Sequence, residues 1–191
     1  MTISTIPLPT TRPATLDDLA KVDGKAELID GRIVRQMATG HLPNRVASRI
    51  FRGLDDHAET TGQGTAYTDS MGFAVPKLPS GRESFSPDTS LYLGPVPTNP
   101  VGFVRGAPTF AVEVRSESDY GPAAEAAMAA KRADYFLAGT SVVWDVDPIA
   151  RTIRKYRADS PHQSIMFTAG SEADGEPAVP GWRIFVERVF A

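Results

Sequence analysis

The chain contains no cysteine, which removes disulfide staples, thiolate metal sites and thiol nucleophiles together. Histidine is nearly as scarce. His41, His57 and His162 are scattered along the chain and match no metal-ligand spacing. His57, beside Asp55 and Asp56, reads as a helix-end charge interaction. No apolar run approaches the roughly 20 residues that cross a bilayer. The opening MTISTIPLPTTRP lacks the basic start and apolar core of a secretory signal. The expected compartment is therefore the cytoplasm. Neither a phosphate-cradling glycine loop nor a dinucleotide fingerprint occurs, since Gly62-Gln63-Gly64 reads as a helix stop. No serine sits in a nucleophile elbow. Covalent and nucleotide-dependent chemistries thus lose their usual carriers.

A strong charge of either sign is also missing. The formal net charge is −3 over 191 residues, so a nucleic-acid partner would have to be met by a local basic surface. The segment from Arg32 to Arg52 offers one, with Arg32, Arg35, Arg45, Arg49 and Arg52 and no acid. Arg45 and Arg49 are its candidate nucleic-acid contacts. A solvated arginine-rich helix face explains the same residues.

The length and the 41% hydrophobic content predict one domain over residues 1–191, with 1–13 a loose Thr/Pro-rich arm. Thr15 and Asp18 form a capping pair for a short helix to about Val22. AELID and RIVRQ flank Asp30-Gly31 as a hairpin. Val46, Ile50 and Leu54 give helical spacing from about Leu42 to Thr61, ended by the glycines. TAYTDSMGFAVP and SFSPDTSLYLG alternate as strands, and residues 94–108 read as an irregular loop. TFAVEVRS is a strand, followed by a helix with Pro122 in its first turn and Gly139 at its end. SVVWDVDP and RTIRKYRA form a hairpin that buries Trp144, and QSIMFTA is a further strand. An acidic loop then leads to WRIFVERVF, a strand or a short helix. The expected architecture is α/β: a mixed central sheet with the carboxylate strands inside, flanked by the second and third helices, and an N-terminal hairpin.

Alternation puts Asp88 on one face of its strand with Ser86, Ser90 and Tyr92. Pro87 marks an edge or bulge there, and a plain Pro-Asp turn fits equally. In TFAVEVRS, Phe110, Val112 and Val114 share one face and Ala111, Glu113 and Arg115 the other. A glutamate within an apolar strand is costly unless paired or metal-bound. Arg115 on its own face is the simple partner. Together, Asp88 and Glu113 make the oxygen-rich set that Mg²⁺ or Mn²⁺ prefers. On the third helix, Ala124, Ala127, Met128, Lys131, Tyr135 and Ala138 form a stripe. Lys131 either pairs with Asp134 or reaches over the two carboxylates.

The order ELIDG, a helix, PD, a strand EV, then KRADYFLAGT leading into VVWDVDP resembles the PD-(D/E)XK nuclease superfamily. More narrowly it is similar to the Uma-type endonuclease family, from about Ala26 to Lys155 and again at PGWRIFVERVF. The resemblance implies a restriction-endonuclease-like core that hydrolyses DNA phosphodiester bonds with Mg²⁺ or Mn²⁺. It implies Asp88 and Glu113 as metal ligands, Glu27 of ELIDG as a third acid, and Lys131 as the lysine that orients or activates water. Arg115 stands where the superfamily name has lysine. An arginine stays protonated and is a poor general base, so contact with a phosphate is the role left to it. Two smaller departures are RSESD, without the usual proline after serine, and Pro43, where relatives carry a histidine. Two other readings remain open: a nuclease fold kept as a nucleic-acid- or protein-binding module, and a homodimer subunit joined at the hairpin around Asp147 or the C-terminal segment.

Overall fold

Thr15 and Asp18 cap each other as the sequence predicts. The Asp18 carboxylate accepts the Thr15 N–H while the Thr15 hydroxyl accepts the Asp18 N–H, satisfying two orphan donors at the helix start. The helix that follows, α1 (Leu16–Leu19), is a single turn. The computed structural model describes residues 12–191, so the expected arm lies outside the described residues as far as residue 11. β1 (Ala26–Ile29) and β2 (Arg32–Arg35) form the hairpin. Asp30 and Gly31 close it at positive φ, as a two-residue turn between twisted strands requires. In α2 (His41–Thr61), Val46, Ile50, Leu54 and Ala58 are the buried stripe, and Gly62 ends the helix in the left-handed conformation.

The chain then splits what alternation alone reads as continuous strands. β3 (Thr65–Thr68) and β4 (Phe73–Ala74) are separated by a turn at Asp69-Ser70, and β5 (Ser84–Phe85) and β6 (Thr89–Tyr92) by Ser86-Pro87-Asp88. β7 (Val104–Arg105) is a short strand inside the stretch expected to be irregular, and it pairs in parallel with β4. β8 (Phe110–Val114) leads through α3 (Pro122–Leu137) to β9 (Val142–Asp147). β10 (Thr152–Arg157) and β11 (Ser160–Phe167) follow as antiparallel neighbours. The expected acidic loop contains β12 (Glu172–Asp174), which pairs with β13 (Arg183–Phe185). α4 (Val186–Phe190) follows at once, so WRIFVERVF is a strand and a helix in succession.

The main sheet has six strands in the order β11-β10-β9-β8-β6-β3. β8 and β9 run parallel, joined by α3, and the other neighbours are antiparallel. The sheet is therefore mixed, with β6 and β8 inside it, and β4, β5 and β7 form a second small sheet. On one face Phe110, Val112, Val114 and Trp144 pack against Val46, Ile50 and Leu54 of α2 and against Trp182, Val186 and Val189. On the other face Ala111 and Val143 pack with Tyr135 of α3 and with Phe73, Phe85 and Val104. Each such large apolar side chain contributes about 1.5–3 kcal/mol on burial. The two long helices thus lie against opposite faces. The free edge on the hairpin side is β11, because β10 is already paired on both sides, and the C-terminal segment is taken up by β12 and by packing on α2.

Candidate active site

Three acids come together at the sheet. β6 and β8 pair Thr89 with Val112, and Asp88 stands just ahead of that pair, its N–H donating to the Val112 carbonyl at 3.1 Å. Across the parallel pair, Glu113 stands beside Asp145. Side chains alternate along a strand, so Glu113 and Asp145 share the face of Ala111 and Val143, which pack with Tyr135 of α3, and Asp88 lines the same pocket. Each acid meets a different cation.

Asp145 takes Arg115. The guanidinium donates through Nε at 2.7 Å and Nη2 at 2.8 Å to the two Asp145 oxygens and also binds Glu125. Arg115 is 6% exposed, and hydrogen bonds to Asp145 and Glu125 push its pKa above the ordinary value. The expected pair with Glu113 therefore does not form. The phosphate contact expected of Arg115 meets the same obstacle, because this fork is already engaged in bidentate bonds.

Glu113 takes Lys131. The ammonium lies 2.9 Å from Glu113 Oε1 and 3.1 Å from Glu27 Oε1. Lys131 thus bonds to the acids of two strands, while Asp134 binds Arg82 at 3.0 Å. The Tyr135 hydroxyl also donates to Glu113 Oε1, at 2.6 Å, and its ring stacks on Phe85 at 4.1 Å. Burial pulls the Lys131 pKa down, but Glu113 and Glu27 more than offset it, so this lysine is held positively charged. Burial raises the Glu113 carboxyl above its usual value. Lys131 counteracts this, and the nearby Asp88 adds to it.

Glu27, 3% exposed, accepts from Arg82, from Lys131 and from the Ser86 N–H at 3.0 Å. Burial pushes its carboxyl up, and Lys131 and Arg82 bring it below the ordinary range.

Asp88 takes Lys25, which the sequence reading missed. Lys25 Nζ lies 2.6 Å from Asp88 Oδ1 and 2.7 Å from Asp69 Oδ1. Asp88 Oδ2 accepts the Val114 N–H at 2.7 Å. A partial signal was available, because Lys25 stands two residues before Glu27, just ahead of β1. Arg82 and Asp69 lie on loop and turn segments, where no periodicity points to them.

Lys25, Glu27, Asp88, Glu113 and Lys131 line one pocket of about 550 Å³, bounded also by Thr39, Ser116 and Arg132. Its lining carries both signs of charge, with Glu27, Asp88, Glu113, Asp119 and Asp145 among Lys25, Arg35, Arg82, Arg115, Lys131 and Arg132. Asp88 and Glu113 supply carboxylate oxygens, the donors that Mg²⁺ and Mn²⁺ favour, and Glu113 Oε2 has no hydrogen-bond donor among the described residues. These residues fit such an ion. Among the described residues no group of three or more His, Asp or Glu is spaced to hold a metal. A magnesium site commonly takes only one or two carboxylates and fills the rest with water.

The other two candidate nucleic-acid contacts lie on α2. Arg45 is exposed, and Arg49 reaches toward the Val189 carbonyl at 3.4 Å. His57 stands 3.1 Å from the Pro180 carbonyl, a contact between α2 and the C-terminal segment where a helix-end charge interaction was expected. No helix among the described residues is long and apolar enough to cross a membrane.

No curated protein sequence matches the chain. Its fold is similar to that of a crystal structure described as a putative nuclease belonging to DUF820 from Anabaena variabilis. The two superpose with a TM-score of 0.72 at 19% identity, covering 93% of this chain and 98% of that one. The model of the Uma2 family, described as putative restriction endonuclease, matches residues 13–187, and the chain belongs to that family.

Proposed function

We propose that this chain is an endonuclease that hydrolyses DNA phosphodiester bonds, with Mg²⁺ or Mn²⁺ held by Asp88 and Glu113. The observation that supports it best is the meeting in one pocket of Asp88 ahead of β6, Glu113 on β8, Glu27 on β1 and Lys131 on α3. A bound divalent ion would supply positive charge to the phosphoryl oxygens and acidify a water. The chain's own residues divide the remaining work. Asp88 is aimed by the Val114 N–H on one oxygen. Glu113 is fixed through Oε1 by Tyr135 and Lys131, which leaves Oε2 turned to other partners. Lys131 stays an ammonium, so it orients water or a phosphate oxygen and stabilises developing negative charge; it does not remove a proton. Glu27 is a positioning residue, anchored by Arg82 and the Ser86 N–H, and it holds Lys131 beside Glu113. Phosphoryl transfer suits such a site, since it asks mainly for placement and charge.

The test is cleavage of plasmid and single-stranded DNA by purified protein with and without Mg²⁺ or Mn²⁺, run beside Asp88→Ala. Metal-dependent cleavage by the wild type and none by the variant is the expected result. A second reading is a nuclease fold retained as a binding module, and the Lys25 contact on Asp88 favours it. Absence of both cleavage and Mn²⁺ binding at millimolar metal would decide for that second reading.

A further inference from the structure

Lys25 puts a fixed positive charge on the carboxylate that the proposed ion would need. Its ammonium is 2.6 Å from Asp88 Oδ1, and only 8% of its side chain is exposed. The other oxygen, Oδ2, is engaged by the Val114 N–H. Both oxygens of Asp88 therefore carry a protein donor. Lys25 also has a second anchor 2.7 Å away in Asp69, which sits in the turn after β3 and keeps 35% of its side chain exposed. The lysine is thus shared between an acid that lines the pocket and a more exposed acid that does not.

We propose that Lys25 is a built-in competitor for the cation at Asp88, and that Asp69 is the acid that retains the lysine when an ion takes Asp88 Oδ1. This rests on the metal-binding reading of the same pocket. Two like charges cannot share one carboxylate oxygen at contact distance without a large Coulomb cost. Ion entry must therefore turn the ammonium toward Asp69 or push it away. Asp69 lowers the cost of that turn, because the lysine keeps one of its two partners and stays out of bulk apolar surroundings. Without an ion, the same lysine offsets part of the repulsion among Asp88, Glu113 and Glu27, so the pocket can form empty. The arrangement sets metal affinity through two residues that need not touch substrate.

The experiment is calorimetric titration of Mn²⁺ into the full chain as wild type, Lys25→Met, Asp69→Asn and the double variant, with thermal melting to verify folding. Lys25→Met is expected to bind Mn²⁺ at least about tenfold more tightly. Asp69→Asn is expected to bind more weakly than wild type, because the lysine then has Asp88 as its only carboxylate partner. The double variant should match Lys25→Met, since Asp69 acts only through the lysine. Wild-type affinity or weaker in a folded Lys25→Met overturns the proposal while leaving the metal reading intact. So does a lysine whose role is to hold substrate phosphate, because its removal would leave Mn²⁺ affinity unchanged. Absence of Mn²⁺ binding in every protein overturns the metal reading and this proposal with it. Should Lys25→Met fail to fold, Asp69→Asn decides: affinity equal to or above wild type overturns the competition.

Discussion

Glu113 has two basic residues within reach of a sequence argument, and position alone favours the wrong one. Arg115 shares its strand face, whereas Lys131 is on another element. Geometry reverses the choice. The planar fork of Arg115 finds both Asp145 oxygens, with Glu125 beside them, and bidentate recognition suits guanidinium better than a single shared oxygen. Lys131, a compact charge on a flexible stem, fits between Glu113 and Glu27. Such partner choices depend on the register of β8 with β9, which no local spacing encodes. Lys131→Met should therefore have two effects. Metal-dependent cleavage should fall about a hundredfold or more, the scale of losing one group that stabilises transition-state charge. Stability of the metal-free protein should fall by about 3 kcal/mol, because Glu27 and Glu113 lose a shared buried partner. Cleavage assays and urea melts report the two separately. Lys77→Met, at a lysine 56% exposed beside Asp30, is the control and should change neither. Full activity in Lys131→Met would remove this lysine from the mechanism.

At the scale of elements, long periodic segments were legible and sheet membership was not. The stripe of α2, the presence of α3, the first hairpin and the pairing of β9 with β10 follow directly from spacing and turn residues, although of the stripe expected on α3 only Tyr135 is buried and Ala127 is exposed. Alternation also runs unbroken through SFSPDTSLYLG, yet Phe85 belongs to the small sheet and Thr89 to the large one. Pro87 marked the break, since it cannot donate to a ladder. Nothing local says that the strand resumes in a different sheet. That change of sheet is what delivers Asp88 to the pocket. β12 was hidden for another reason: EAD has little strand propensity, and β13 and the buried Ala173 supply what propensity lacks. The glycines after α2 offer a test at this scale. Gly62 and Gly64 both have positive φ, but an added Cβ at Gly62 meets nothing within 4 Å, while at Gly64 it comes 2.8 Å from the Tyr92 carbonyl oxygen. Gly62→Ala should cost about 1 kcal/mol, the conformational penalty alone. Gly64→Ala should cost clearly more, roughly 2–4 kcal/mol, because backbone of β6 must also shift. Urea midpoints of the two variants measure the difference. Equal losses would mean that the α2–β3 connection relaxes without disturbing β6.

Over the whole molecule, a net charge of −3 does not draw in a polyanion, so the proposed DNA contact would depend on where cations cluster. The first half of α2 is the strongest candidate. Thr39, just before the helix, lines the pocket, and the Ala47 carbonyl accepts the hydroxyl of Thr89, the neighbour of Asp88. Arg45 lies two residues from Ala47 and is exposed. Arg49 follows one turn later but extends toward the Val189 carbonyl, so part of its donor capacity is directed inward. A phosphate contact contributes through counterion release, which makes binding fall with salt at a slope of about −0.9 per neutralised phosphate. Arg45→Ala should therefore weaken DNA binding across all sequences and reduce the magnitude of that slope by about one. Arg49→Ala should do less. Arg105→Ala is the comparison, since this exposed arginine lies on β7, in the small sheet that packs on the α3 face, and it tests approach from that side. Fluorescence anisotropy of a labelled duplex, in metal-free buffer over a series of salt concentrations, separates the three. Should Arg105→Ala flatten the slope and Arg45→Ala leave it unchanged, DNA would be approaching from the small-sheet side. The arginines of α2 would then be a solvated helix face and nothing more.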